Sequence, residues 1–462
     1  VEHIGVDSAD QAGYRRRRDR LLQDYAAIPP GAPVRLKKRT SNLFRTRRPV
    51  TTPGLDVTGF DGVLSVDPVA RTAEVQGMTT YEHLLDVTLA HGLAPLVVPQ
   101  LKTITLGGAV TGLGIESTSF RNGLPHESVL EMDVLTGDGR VVTATPEGEH
   151  AALYFGFPNS YGTLGYALRL TIELEPVHPY VRLAHVPFRS ADELFAAMDE
   201  VVREQRWQGE PVRFVDATAF SEDELYLTLG FWADGAPYVS DYTGMEIFYR
   251  SLQTRREDYL TARDYYWRWD TDWFWCSRAF GAQNPRIRRL WPKRYLRSDA
   301  YWKLIGLEAR YHVGERLDRA KGKPPAERVV QDVEVPIARA ADFHTWLARE
   351  TGIQPIWACP LRQRDPATTW DLYVMDSEIT YVNFGFWSTV PLAPGQADGH
   401  HNRRIEQKVQ ELGGRKSLYS TSYYGEDEFW SLYGGEAYAQ LKKEYDPQGR
   451  LLDLYSKTVR RH

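Results

Sequence analysis

The segment Thr103-Ile-Thr-Leu-Gly-Gly-Ala-Val-Thr-Gly-Leu-Gly-Ile-Glu-Ser117 carries the residue types best suited to a phosphate-bearing ligand. Gly107, Gly108, Gly112 and Gly114 fall within eight residues. Glycine lets a backbone approach a ligand closely and adopt positive φ. Backbone N–H groups left free in such a stretch bind anionic oxygens. A close-packed turn would use the same glycines, so the glycines alone leave both readings open. Gly112-x-Gly114-x-x-Ser117 departs from the dinucleotide fingerprint: it has Ser at the last position and no clean strand before it or helix after it. GxxxxGK[ST] is absent, which excludes a P-loop.

A second concentration of chemistry lies at Tyr265-Tyr-Trp-Arg-Trp-Asp-Thr-Asp-Trp-Phe-Trp275, followed by Arg278, Arg286, Arg288, Arg289, Lys293, Arg294 and Arg297. Six of the 13 tryptophans fall between Trp267 and Trp302. Aromatic rings beside cations suit a membrane interface, with rings at headgroup depth and cations on anionic lipid. A core with a solvated rim, or a nicotinamide-phosphate site, would use the same residues. Cys276 and Cys359 make neither a disulfide scaffold nor a CxxC metal site and read as packed residues.

Composition bounds the rest. The 462 residues are 42% hydrophobic and 25% charged, ordinary globular values that predict two or three folding units. Fifty-six basic against 61 acidic residues give a net charge of −5, which argues against a nucleic-acid partner. Residues 1–48 depart from this with twelve Lys/Arg against five Asp/Glu. No apolar run spans a bilayer, and Arg15 to Arg18 are not followed by an apolar core, so no secretory signal is read. The expectation is a cytoplasmic protein, peripheral at the inner face of the cell membrane.

The pattern predicts a charged helix over residues 11–25, stopped by the Pro/Gly run 28–33, and a strand over 34–38. Short strands at 63–66 and 72–75 precede a helix over 79–90 with Tyr81, Leu84, Leu85 and Leu89 on one face. Strands 129–135 and 140–143 flank the hairpin signal Thr136-Gly-Asp-Gly139, and 164–174 is a further strand. Glu175-Pro-Val-His-Pro179 is the best boundary. Beyond it, helices at 191–205, 338–351 and 402–412 alternate with strands at 225–231, 329–336, 371–374 and 380–386, and one last helix runs over 426–445. The fold class is α+β throughout.

The order of these features, with Gly92-Leu-Ala-Pro-Leu-Val-Val-Pro99 before the glycines and Phe157-Pro-Asn-Ser-Tyr-Gly-Thr-Leu-Gly165 after them, resembles the FAD-binding (PCMH-type) domain of the vanillyl-alcohol oxidase superfamily. Residues 105–117 and 160–165, together with Pro355-Ile-Trp-Ala-Cys-Pro360, Glu428-Phe-Trp430 and Tyr438, look like the Δ24-sterol reductase branch. The resemblance implies a two-domain α+β flavoprotein: an FAD-binding domain over 1–178 with its basic N-terminal helix, a cap (substrate) domain over 179–420, and a segment 421–462 returning to the first domain. It implies FAD contacts at Thr103, Thr105, Leu106, Gly107, Gly108, Gly112, Gly114, Ile115, Glu116, Ser117 and Gly165. It also places a pyrophosphate loop at Arg39, Thr40, Ser41, Asn42 and Leu43, where Arg39 offers charge and the short polar side chains offer donors. That loop holds no His, so the FAD is expected to be non-covalent.

The same branch implies reduction of an isolated carbon–carbon double bond in a lipid. The alkene is protonated, a tertiary cation develops, and hydride comes from reduced flavin N5, with NADPH as electron donor. This chemistry needs an acid and a dry pocket, and Glu116, Tyr423 and Tyr424 are the candidate donors. The expected substrate is a 10-methylene fatty acyl chain, supplied by a partner methyltransferase and reduced to the 10-methyl chain of tuberculostearic acid. A Δ24-sterol is the alternative, and a sugar or alcohol oxidase or dehydrogenase on the same fold is the next.

Overall fold

The computed structural model describes residues 8–39, 44–45, 54–311 and 324–459. Two antiparallel sheets organise the chain. In the first, Val63–Asp67, Thr72–Gln76, Gly165–Pro176, Val129–Thr136 and Val141–Ala144 lie side by side in that order, and Leu93–Pro95 pairs with the far end of Gly165–Pro176. Its hairpin turns at Asp138-Gly139, where Gly139 has φ +85° and Asp138 Oδ1 accepts the Thr136 hydroxyl. The helix Ser8–Ala26 lays Tyr14, Leu21 and Tyr25 on Phe60, Leu64, Leu135 and Leu168 of this unit. Tyr14 Oη also donates to Asp133 at 2.7 Å.

The second sheet has eight strands. Their order is Glu257–Thr261, Tyr180–Phe188, Leu225–Ala233, Phe214–Ala219, Ile356–Leu361, Tyr381–Pro391, Ala326–Pro336 and Arg415–Lys416. The two-residue period of a strand decides what each face carries. Val215, Ala217, Val333, Val335, Ile356, Ala358, Val382 and Phe384 point one way, under the helices Ala191–Glu204, Ala340–Thr351 and His400–Glu411. Asp216, Asp332, Glu334, Trp357, Asn383 and Trp387 take the alternate positions, which face the first unit. The chain then returns. Lys442 Nζ donates to Thr163 O at 2.8 Å, Lys457 Nζ to Tyr161 O at 2.7 Å, and Val34 N to Arg450 O at 2.8 Å.

Four expectations are corrected. The strand over 34–38 shrinks to Leu36–Lys37, paired in parallel with Leu55–Asp56. Residues 371–374 form turns, not a strand: Leu372 and Tyr373 are buried by tertiary contacts, with Asn159 Nδ2 on Leu372 O and the Tyr373 hydroxyl on Glu334. The final helix is two, Glu426–Leu432 and Gly435–Tyr445, broken at Gly434 (φ +64°), where a Cβ would sit 2.0 Å from Asp371 O.

The fourth concerns the tryptophan segment, which is not an interfacial belt. Trp267, Trp269, Trp273, Phe274 and Trp275 are all buried in the core shared by both sheets. Its charges are consumed internally. Arg268 meets Asp216 at 2.7 Å, Arg288 meets Asp272 at 2.6 Å, and Asp270 accepts Lys102 N and the Ser298 hydroxyl. Removing one partner of such a pair strands a buried charge at a cost of about 3–5 kcal/mol. Arg288→Ser is therefore expected to lower the thermal midpoint sharply, whereas Arg286→Ser and Arg289→Ser, at exposed positions, should leave it nearly unchanged. Differential scanning calorimetry of the three variants checks this.

Candidate functional site

A cleft opens between the two sheets, and each wall follows from local sequence. On one side, Leu106–Gly112 forms a short helix capped by Thr105, whose Oγ1 accepts from Gly108 N at 3.2 Å. Three glycines in seven residues hide this helix from propensity, which is why the sequence showed none. None of Gly107, Gly108, Gly112 and Gly114 has positive φ, so close approach, not turn conformation, is their use. Gly108, Gly112 and Gly114 bare the main chain at three places on this wall, between the side chains of Ile104, Thr105, Leu113, Ile115 and Glu116. On the other side stand Asp332, Trp357, Asn383 and Trp387 from the second sheet, with Ser417 and Tyr419 beyond it. Trp273 and Phe274 close one end. An adjoining branch lined by Arg39, Thr58, Asp61, Thr80 and His83 shares Lys38 and Thr105 with the cleft, which makes the whole elongated.

Among the described residues eight non-glycine residues have positive φ, and four of them line this cleft: Leu113 (61°), Tyr161 (50°), Trp273 (44°) and Phe274 (60°). Such conformations cost of order 1–3 kcal/mol each and persist where the surroundings hold them for a purpose. Tyr161 is pinned by its hydroxyl on Gly112 O at 2.7 Å. Phe274 packs on Trp269, Trp357 and Trp387, and Trp273 on Phe44 and Trp302.

Two acids face this apolar space. Burial pushes the Glu116 carboxyl up to about 8, against the counter-pull of Arg268 and of hydrogen bonds from Ser117 N and Gln100. Both of those bonds, at 3.1 Å, go to Oε2, so Oε1 takes part in neither. Burial likewise pushes Asp332 up to about 7, with Asn383 and Tyr419 pulling it down, and Trp387 Nε1 donates to Tyr419 Oη at 3.0 Å. At neutral pH the cleft therefore holds at least one carboxylic acid as a proton donor.

The residues singled out from sequence divide. Thr105, Gly108, Gly112, Gly114, Ile115 and Glu116 line the cleft. Leu106 and Gly107 sit behind it, Gly107 so close to Gly77 that a Cβ would lie 2.8 Å from its carbonyl. Ser117 is buried against Tyr265 Oη at 2.9 Å, and Thr103 lies off the lining. Gly165 (φ +153°) serves the first sheet, where a Cβ would meet Val134 and Leu135 O. Arg39 borders the adjoining branch but is paired with Asp61 at 2.6 Å. Thr40, Ser41, Asn42 and Leu43 lie outside the described residues.

Tyr423 and Tyr424 are corrected as donors. Neither lines the cleft: Tyr424 packs on Phe429 and Tyr433, and Tyr423 lies against Gly399. The tyrosines that do reach it are Tyr161 and Tyr419. Sequence reasoning missed Asp332, Asn383 and Tyr419; the signal available was, for Asp332, the alternation of Asp332 and Glu334 with Val333 and Val335 along one strand, whereas nothing local marked Asn383 or Tyr419.

Comparison with known proteins sharpens this. Residues 30–145 match the family described as "FAD binding domain". The chain is 26% identical over 443 residues to a Delta(24)-sterol reductase of Arabidopsis thaliana, covering 87% of this chain and 76% of that protein. It is 26% identical over 410 residues to the Delta(24)-sterol reductase of Homo sapiens, covering 86% and 75%. It is also 25% identical over 399 residues to cytokinin dehydrogenase 5 of Oryza sativa subsp. japonica, covering 82% and 71%. With the two α+β units, this gives the two-domain vanillyl-alcohol oxidase-like architecture and an FAD-dependent oxidoreductase.

The cleft fits FAD on its own terms. One wall offers bare main chain to a flat ring system, and Asn383 Oδ1 is buried in the other wall without a hydrogen-bond partner among the described residues, an acceptor awaiting a donor. Among the described residues none lining the main cleft is a His or Cys, His83 borders only the adjoining branch, and burial raises the Cys276 thiol to about 12, leaving it unreactive. Acid precipitation is accordingly expected to release all yellow chromophore into the supernatant; flavin retained in the pellet would show a covalent link.

Proposed function

We propose that this chain reduces an isolated carbon–carbon double bond in a lipid, a 10-methylene fatty acyl chain becoming the 10-methyl chain. The observation that carries the reading is a carboxylic acid held protonated in an aromatic cleft: Glu116, with Trp273, Phe274, Trp357 and Trp387 around the space it faces. An isolated alkene has no carbonyl to polarise, so its reduction starts with a strong positioning of a proton and an environment that keeps water from the resulting cation.

FAD held along Gly108, Gly112 and Gly114 would supply the hydride when reduced. The chain supplies the rest. Glu116 Oε1 gives its proton to the less substituted alkene carbon, while Oε2 stays fixed by Gln100 and Ser117 N. The indole and phenyl faces stabilise the tertiary cation through their electron-rich faces. Arg268, stacked over Tyr265 at 4.0 Å and paired with Asp216, favours the carboxylate left on Glu116 without contacting substrate. Asp332 and Tyr419 stand on the opposite wall.

NADPH as the electron source and a methyltransferase as the supplier of the methylene chain belong to the same reading. A Δ24-unsaturated sterol is the second reading, favoured by the similarity to Delta(24)-sterol reductases; it too gives a tertiary cation. Incubating reduced protein with a 10-methylene acyl phospholipid and with a Δ24-sterol, and weighing both by mass spectrometry, separates them. A gain of two hydrogens on the acyl chain alone supports the first reading. A gain on the sterol alone replaces it with the second. Oxidation of a sugar or alcohol, with neither lipid changed, overturns both.

A further inference from the structure

The burial of the tryptophan segment moves attention to what the neighbouring chain leaves in solvent. Among the described residues ten large apolar side chains are exposed, and six of them, Tyr238, Val239, Met245, Ile287, Leu290 and Tyr295, belong to two stretches, 238–245 and 287–295. These stretches are neighbours in space. Arg288, buried beneath them, donates from Nε to Gly244 O at 2.6 Å and from a terminal nitrogen to Glu246 O at 3.2 Å, and Lys293 Nζ reaches Asp241 at 3.9 Å. Leu290 is 84% exposed at the end of the helix Pro285–Leu290, a position no folding argument favours.

The charges on and around this face are mainly basic. Arg278, Arg286, Arg289, Lys293 and Arg294 are exposed, and of these only Lys293 has an ion pair among the described residues, a long one. The acids on and beside the same face are Asp241, Glu246 and Glu257, of which Glu246 is engaged by Arg255 and Glu257, next to Tyr238, by Arg182. The face also communicates with the cleft. In the helix Ser298–Tyr311, Tyr301 stacks on Phe280 at 5.6 Å and meets Trp291, while the next residue, Trp302, stacks on Phe44 at 4.6 Å beside Trp273 of the cleft wall.

We propose that the face formed by residues 238–245 and 286–295 docks this protein on an anionic phospholipid membrane, with Leu290, Ile287 and Met245 entering the headgroup–acyl boundary and the arginines meeting lipid phosphates. Protruding apolar side chains ringed by unpaired cations satisfy both terms of interfacial binding: apolar burial and attraction to anionic lipid. A water-soluble ligand would need no protruding leucine. A second copy of this chain would bring the same cations against themselves. The docking is argued from this face alone. It deepens the lipid reading by giving the substrate a bilayer to leave from, beside the helix whose Trp302 stands next to Trp273 of the cleft wall.

The test is co-sedimentation of the full chain with vesicles of phosphatidylcholine alone and of phosphatidylcholine with phosphatidylglycerol. Binding is expected only to the anionic vesicles and is expected to weaken at high salt, as screening shortens the reach of surface charge. Arg286→Glu with Arg289→Glu should weaken it about tenfold or more, and Leu290→Asp should weaken it at every salt concentration. Arg288 is left intact because it holds the core. All these variants should keep wild-type flavin content and thermal midpoint, so misfolding is read separately. They should also keep wild-type reduction of a detergent-dispersed lipid alkene. Absence of that activity from the wild type itself would overturn the reductase reading and leave the docking intact. Equal binding to neutral vesicles, unchanged binding of the variants, or a dimer in sedimentation velocity that the same substitutions dissociate without any vesicle binding would overturn the docking.

Discussion

Glu116→Gln should fold, keep its flavin, and lose lipid-alkene reduction by about 10²- to 10⁴-fold, the usual worth of a positioned general acid. Gln preserves the shape and the hydrogen bonds offered by Gln100 and Ser117 N, so what it removes is the acidic proton. The loss should fall on kcat, because the proton is needed in the transition state and contributes little to holding an apolar chain. The wild type gives the matching pH dependence. With Glu116 pushed up to about 8, the acid form predominates below that pH, and activity should decline as pH rises through it. The same shift has a stability consequence. A carboxyl whose pKa is raised by folding keeps its proton more tightly in the folded state, so stability is greatest below the ordinary carboxylate range and falls as pH rises from there towards 8. Glu116→Gln should flatten that part of the stability–pH curve. If Glu116→Gln retained full activity while Asp332→Asn lost it, the donor would be the acid on the opposite wall.

Gly112→Val is expected to weaken FAD binding by about 10- to 100-fold, since forcing volume into a filled site costs about 1–3 kcal/mol. A Cβ at Gly112 would already lie 3.1 Å from the Tyr161 ring, and that ring is fixed by its hydroxyl on Gly112 O and by Lys457 on its carbonyl. The branch must then point into the cleft or displace Tyr161 from its positive-φ conformation. Gly108→Val should act similarly, because its Cβ would sit 2.8 Å from Thr105 Oγ1, the helix's own cap. Gly235→Val, with nothing within 4 Å, is the control. Flavin-to-protein absorbance after gel filtration reads all three, and full occupancy in Gly112→Val would reduce that glycine to a packing role.

Much of the framework was legible because it rests on local rules. The hairpin at Thr136 to Gly139, the helix Tyr81–Leu89 with its buried face, and the aromatic and β-branched run that forms the strand Tyr381–Pro391 all follow from periodicity, strand propensity and turn chemistry. The glycine segment located one wall of the cleft, and Glu116 was picked out by its adjacency to it. What escaped were features set by distant residues. The break at Gly434 answers to Asp371, sixty-odd positions earlier, and the pairing of Arg268 with Asp216 turned an aromatic-basic run that looks interfacial into the centre of the molecule. A charged residue in a tryptophan-rich stretch has two destinations, solvent or a buried partner, and only the second sheet's Asp216 decided which. The opposite wall was missed for the same reason: Asp332 and Asn383 acquire meaning only when two neighbouring strands place them on the face towards the first unit.

The most direct test of the whole account is an anaerobic single turnover. Protein with its flavin reduced by dithionite is mixed with one equivalent of a 10-methylene acyl phospholipid, flavin absorbance is followed, and the lipid is weighed by mass spectrometry. The account predicts that the yellow colour returns as the acyl chain gains two hydrogens, one for one. A flavin that stays reduced beside an unchanged alkene, with both the acyl lipid and a Δ24-sterol, would contradict it.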